Sequence, residues 1–196
     1  TFIFFFAVID PIGTIPVFMA VTSRYEERIK RRIAIRAVLI SAALLTFFVA
    51  AGEIILTALD IPLAAFEIAG GIVLFIFALS MIFGESKPEA ELKLADNEKD
   101  TAIFPLAVPS IASPGAMLAA VLLTENNRFN QWEQVQTTLV MYLVLLVALL
   151  LMLAATWIHR FIGTSGASII SRVMGMILAS VAVTAVLAGI TEYFSL

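Results

Sequence analysis

Polar residues interrupt this chain at only a few places, and between them lie six long apolar stretches: roughly Thr1 to Thr22, Ile33 to Leu59, Ile61 to Phe83, Ala102 to Thr124, Val135 to Ile158 and Ala167 to Phe194. About 20 mostly apolar residues suffice for a helix to cross the ~30 Å hydrocarbon layer of a bilayer. All six qualify. Strands that span membranes alternate apolar and polar positions, whereas Leu143 to Leu153 is apolar without a break. The pattern therefore predicts an all-α, polytopic membrane bundle of six transmembrane helices.

Charge fixes an expected orientation. Arg24, Arg28, Lys30, Arg31, Arg32 and Arg36 lie between spans one and two; Lys87, Lys93 and Lys99 lie between three and four; Arg160 and Arg172 lie about the connection between five and six. Every Lys and Arg except Arg128 thus falls on one side. By the positive-inside rule that side is cytoplasmic and both termini lie outside. No basic leader or small-residue cleavage site marks a cleavable signal, and Thr1 in place of Met implies residues upstream.

The chain divides into residues 1–83, a mixed-charge linker at 84–101, and residues 102–196. Each outer part holds one span broken by Pro and Gly, one long uninterrupted span, and one span with a central Gly (Gly70 and Gly71; Gly175). An offset of about 100 residues also sets Phe6-Ala7-Val8 beside Leu106-Ala107-Val108. A repeat of three spans is odd, so a second copy enters the membrane in the opposite sense, an arrangement common among secondary transporters. Helices one and four are expected to break at mid-membrane.

The first break is Asp10-Pro11-Ile12-Gly13-Thr14-Ile15-Pro16; the second holds Pro105, Pro109, Ser110, Ser113, Pro114 and Gly115. Proline has no amide hydrogen and clashes with the carbonyl four residues back, which would free carbonyls at Ala7, Ile12, Pro105 and Ser110. Lipid offers such groups no partner, so they must face protein or a hydrated cavity. Asp10-Pro11 and Ser113-Pro114 both read as an N-cap followed by proline at the first helical position. Inverted, the two restarted half-helices would aim their positive N-terminal ends at each other.

That arrangement suits a zwitterion: a carboxylate held near Ser113, Pro114 and Gly115, with the ammonium or a coupling cation toward Asp10. The candidate substrate-binding set is Asp10, Gly13, Thr14, Pro109, Ser110, Ser113, Pro114 and Gly115. Asp10 and Glu67 are candidates for a coupling ion, H+ or Na+. Proline kinks are also ordinary features of membrane helices, and the plainer role of Asp10 is to cap its own half-helix.

Composition narrows the class. Of 196 residues, 61% are hydrophobic and 14% charged, which leaves too little polar surface for a soluble domain. A net charge of -3 gives no footprint for nucleic acid. With no Cys and one His, thiol chemistry and His/Cys metal clusters are excluded, and no cofactor is implied. A phosphate-cradling GxxxxGK[ST] motif is absent.

The runs Ile9-Asp10-Pro11-Ile12-Gly13-Thr14-Ile15-Pro16-Val17-Phe18, Arg24 to Arg36, Phe66-Glu67-Ile68-Ala69-Gly70-Gly71-Ile72 and Pro105 to Ala116 together resemble the MarC family, over essentially the whole chain. That family belongs to a wider group of amino-acid exporters. The resemblance implies a six-span inner-membrane protein of bacteria or archaea that moves glycine, alanine or similar neutral solutes. An uncoupled channel or facilitator remains the alternative within transport. An intramembrane enzyme is the alternative outside it, disfavoured because paired-carboxylate chemistry needs two acids at one depth and only Asp10 is central.

The remaining polar residues read more plainly. Glu53, Asp60 and Glu67 cluster about the second connection as interfacial acids or interhelical partners, with an outer cation vestibule or second protonatable site as the alternative; Glu67 is the better functional candidate because it sits one turn before Gly70-Gly71, where close helix packing would bring it near span one. The basic run is topological and meets anionic lipid headgroups. His159 belongs to an aromatic interface with Trp157, and span five is lipid-facing scaffold. Ser180, Thr184 and Thr191 are placed to hydrogen-bond between helices. Oligomeric state is left open.

Overall fold

The structure, a computed structural model, describes residues 1–83, 101–126 and 128–194. The linker expected at 84–101 lies outside the described residues, Thr101 excepted. Among the described residues eight helices follow in order: α1 (Phe2–Ile9), α2 (Pro11–Thr22), α3 (Glu27–Ala58), α4 (Leu63–Phe83), α5 (Ala102–Ile111), α6 (Pro114–Leu122), α7 (Gln131–Leu153) and α8 (Ala155–Tyr193). No strand occurs among the described residues. Five segments, α1 with α2 counted as one, are long and apolar enough to cross a membrane, and α5 with α6, bent by 56°, makes a sixth. The chain is a multi-pass helical bundle.

Three expected boundaries move, each for a local reason. The basic residues Arg28 to Arg36 were expected in a connecting loop; they form the first turns of α3, because Arg and Lys are strong helix formers and a helix need not stop where the apolar layer does. α7 starts at Gln131, ahead of the apolar run, where the Asn130 side chain accepts from the Glu133 amide and the Glu133 carboxylate accepts from the Asn130 amide. The connection expected between Ile158 and Ala167 is helical: α7 gives way to α8 at the single residue Ala154, and α8 continues for 39 residues. His159 falls within that helix, and its side chain lies outside the description.

Packing runs between the two halves. α1 and α2 lie against α7 and α8, while α5 lies against α3, and α6 against α3 and α4; α2 also meets α5, α1 meets α6, α3 meets α7, and α4 meets α8 along the broadest interface among the described residues. Water supplies no drive for helix association inside lipid, so close approach depends on small residues. A Cβ on Gly71 of α4 would stand 2.8 Å from Val186 and 3.0 Å from the Ala182 carbonyl. On Gly175 of α8 it would stand 3.0 Å from both the Ala78 carbonyl and Ile82. An offset of 104 residues carries Gly71 onto Gly175, Ala78 onto Ala182 and Ile82 onto Val186, so the two contacts are reciprocal.

Large apolar side chains cover the outside. Leu39, Phe47 and Ile54 on α3, Ile72 and Ile76 on α4, Leu139, Leu143, Leu146 and Leu150 on α7, and Ile177, Val183 and Leu187 on α8 are all exposed. Trp132, in the first turn of α7, and Trp157, in the first turn of α8, are both exposed. Such a surface is stable against lipid and unstable in water. The interior is packed with Phe5, Ile9, Leu45, Leu74, Leu106, Ile111, Met141 and Leu178.

Candidate functional site

Both breaks form as the Pro spacing predicts, and they differ in detail. Between α1 and α2, Asp10 adopts a left-handed backbone, φ 51°, and its Oδ1 accepts from the Gly13 amide at 2.9 Å, with Pro11 in the first turn. Its carbonyl accepts from the Thr14 amide at 3.1 Å and from the Thr14 hydroxyl at 3.0 Å. The Asp10 carboxylate lies so close over Gly13 that a Cβ there would collide with Oδ2. With Asp10 in this rotamer, only glycine fits at position 13.

Between α5 and α6, Ser113 has an extended backbone and Pro114 opens the new helix. Its hydroxyl accepts from the Ala116 amide at 3.1 Å and donates to the Val8 carbonyl of α1 at 2.7 Å. α5 is a wide, π-type helix with Phe104 and Val108 in extended conformations and cis peptides before Pro105 and Pro109. The Ala107 carbonyl accepts from the Ala112 amide at 2.8 Å; the Ser41 hydroxyl of α3, which donates to its own Ala37 carbonyl at 2.9 Å, has Ala107 as a second, longer acceptor at 3.3 Å. Freed carbonyls thus find side-chain partners within the bundle, as a low-dielectric setting demands.

The two breaks meet. Besides the bond from Ser113 to Val8, the hydroxyls of Thr14 and Ser110 lie 3.3 Å apart across the interface of α2 and α5. Asp10, Thr14, Ser110 and Ser113 are all fully buried, beside the small residues Ala7, Ala112 and Ala116. Pro109 and Pro114 are half-buried at its margin. Gly115 faces α4, where Leu74 fills the space a side chain would need. The polar groups are therefore gathered in one closed contact: two half-helix N-termini, an acid and three hydroxyls, sealed by apolar neighbours.

Glu67 is not part of it. It sits two turns along α4 from Leu74, ~10 Å by helical rise, at the end of the bundle where Phe4, Arg128 and Ala188 share a cavity wall with it. Proximity to span one is realised through Phe4, not Asp10. Glu53 holds the connection between α6 and α7: its Oε2 accepts from the Asn126 amide at 2.9 Å and from Asn126 Nδ2 at 2.8 Å. Arg128 on that connection pairs with Glu125 at 3.1 Å and with Glu192 of α8. Burial works against the charge on Arg128, but the hydrogen bond and charge of Glu192, with help from Glu125 and Glu67, carry its pKa above the ordinary arginine value.

Two contributors were not singled out by the sequence. Ser41 shares its apolar span with Thr46 and Thr57, so its signal is weak; its hydroxyl bonds the Ala37 carbonyl of its own helix at 2.9 Å and reaches Ala107 at 3.3 Å. Arg128 stood out only as the basic residue on the wrong side.

A helical bundle with an apolar exterior, several membrane-length helices and two interior helix breaks defines a multi-pass integral membrane protein. The model of the MarC family of integral membrane proteins matches residues 1–194, and the chain belongs to that family. It is 32% identical to a UPF0056 membrane protein of Archaeoglobus fulgidus, over 95% of this chain and 89% of the relative. Identity is 33% with the UPF0056 membrane protein MJ1677 of Methanocaldococcus jannaschii, covering 94% and 91%. It is 32% with the UPF0056 inner membrane protein YhgN of Escherichia coli, covering 93% and 90%. No solved structure matches the chain.

Proposed function

We propose that the chain is a secondary carrier for small neutral amino acids of the glycine and alanine type, working by alternating access between two inverted three-helix repeats in a prokaryotic inner membrane. The observation that carries this reading is the meeting of the two capped breaks, Ser113 to the Val8 carbonyl at 2.7 Å and Thr14 to Ser110 at 3.3 Å. Broken helices facing each other within a bundle are how carriers present backbone amides and carbonyls to a polar solute.

The inverted repeat is supported by the reciprocal glycine contacts of α4 and α8 and by the exchange of partners between halves. The small residues Ala7, Ala112 and Ala116 favour a solute with a short side chain. Once the breaks part, the carboxylate of the solute is placed at the amides of Gly115 and Ala116, and its ammonium toward Asp10. The packed contact corresponds to a state without solute, which must open to one side at a time. Both termini are placed outside, since the basic residues gather at the opposite end. Asp10 is the acid at the breaks among the described residues, so paired-carboxylate catalysis lacks its second member and the protein is read as a carrier, not an enzyme.

Flux of labelled L-alanine into proteoliposomes, with pH and Na+ gradients imposed separately, tests this. Saturable flux, driven by one of the gradients and lost in Ser113→Asp, is expected. Absence of saturable flux for both glycine and alanine overturns the reading; flux indifferent to either gradient replaces coupled transport with facilitation.

A further inference from the structure

A cavity of about 250 Å³ opens at the end of the bundle that carries both termini, walled by Phe4, Leu123, Phe129 and Val181 and by two charged side chains, Glu67 and Arg128. It is separate from the closed contact between the breaks. Glu67 is 7% exposed, and its Oε2 has no hydrogen-bond partner among the described residues. A buried carboxylate oxygen left without a partner costs free energy unless something binds it.

The surroundings say what would. Arg128 pairs through Nε with Glu125 and through Nη2 with Glu192, and neither contact uses Nη1. With the Arg128 charge met by Glu125 and Glu192 behind the wall, the Glu67 carboxylate leaves its side of the cavity favourable to a cation. A metal ion wants several oxygen ligands, and no group of three or more His, Cys, Asp or Glu able to hold one is found among the described residues. Thr184, also in the wall, spends its hydroxyl proton on the Ser180 carbonyl at 2.9 Å and keeps its lone pairs for accepting. One carboxylate, one hydroxyl oxygen and apolar walls suit a primary ammonium on a short aliphatic body. Nη1 of Arg128, which neither of these ion pairs uses, adds a donor for an anionic group.

We propose that this cavity is a second, staging site for a zwitterionic amino acid, with its ammonium on Glu67, its carboxylate on Arg128 and its side chain against Phe4 and Val181. The ligand class rests on the carrier reading; the site itself does not depend on the breaks. An ethanolamine phospholipid headgroup offers related chemistry, an ammonium near a phosphate, and the experiment separates the two.

The purified chain in phosphatidylglycerol nanodiscs is treated with dicyclohexylcarbodiimide, a carboxyl reagent that enters apolar sites, and labelling of Glu67 is followed by peptide mass spectrometry. L-alanine at about ten times its Kd should slow labelling roughly tenfold, by simple competition. Ethylamine should protect weakly, and propionate or NaCl should not. Labelling unaffected by alanine, protection by NaCl alone, protection only when phosphatidylethanolamine is added, or a Glu67 inert to the reagent each overturns the proposal. Flux measured on the same preparation keeps the two readings apart. Protection without flux leaves the staging site standing and removes the carrier, whereas flux without protection does the reverse.

Discussion

The hydroxyl of Ser113 closes two structures at once, accepting from the Ala116 amide to start α6 and donating to the Val8 carbonyl to tie that start to the end of α1. Loss of an N-cap costs about 1 kcal/mol, and a buried carbonyl left without its donor costs about 1–3 kcal/mol. Ser113→Ala should therefore lower the unfolding midpoint in detergent markedly, while Ser113→Thr, which keeps the hydroxyl, should lose less. Equal losses in the two variants would mean that the hydroxyl is not what holds the breaks together.

Asp10 serves its own half-helix through Oδ1, a bond that an amide oxygen can also accept. Asp10→Asn should retain stability to within about 1 kcal/mol, since Asn and Asp are equivalent caps. Gly13→Ala must expel the carboxylate from its place and should destabilise by more than that. If Asp10→Asn keeps its fold but its alanine flux ceases to respond to the driving gradient, the negative charge is used in coupling; unchanged gradient dependence confines Asp10 to capping.

Reciprocal packing at Gly71 and Gly175 makes a paired prediction. Each Cβ would meet a neighbouring carbonyl at 3.0 Å, a backbone atom that cannot swing aside. Gly71→Ala and Gly175→Ala should each cost about 1–3 kcal/mol, typical of overpacking, and by similar amounts. Thermal unfolding of both variants checks this, and a large inequality would break the equivalence of α4 and α8.

The cluster at the end of the bundle should show unequal costs. Glu192 and Arg128 have side chains 39% and 44% exposed, so solvent screens their pair, and Glu192→Gln should cost under about 1 kcal/mol. Arg128→Gln should cost more, because it leaves Glu125, 8% exposed, buried without its cation beside Glu67. Unfolding midpoints that rank the other way would contradict this assignment of charges.

Much of the fold was legible because lipid makes backbone satisfaction obligatory. Apolar length located the spans, and Pro11 and Pro114 behind Asp10 and Ser113 located both helix restarts, since proline at the first helical position and a capping oxygen before it have one structural meaning. Less legible were features decided by contacts distant in sequence. Nothing local says that Leu74 fills the space over Gly115, that Ser41 reaches Ala107, or that Phe4, Glu67 and Arg128 share a cavity. Helix ends were misplaced where polar residues continue a helix past the apolar layer, as at Arg28 to Arg36 and beyond Ala155. Asn130 with Glu133 carried a readable capping signal for α7 that hydropathy alone passes over.

The protein contains no cysteine, so a pair introduced across the breaks reports without background. Thr14 and Ser110, whose hydroxyls stand 3.3 Å apart, are the pair to replace. In Thr14→Cys/Ser110→Cys, oxidation should form a disulfide between α2 and α5 that stops alanine flux in proteoliposomes, and reductant should restore it. A cross-linked protein that transports at the reduced rate would show that the breaks need not part, and the alternating-access account would fail.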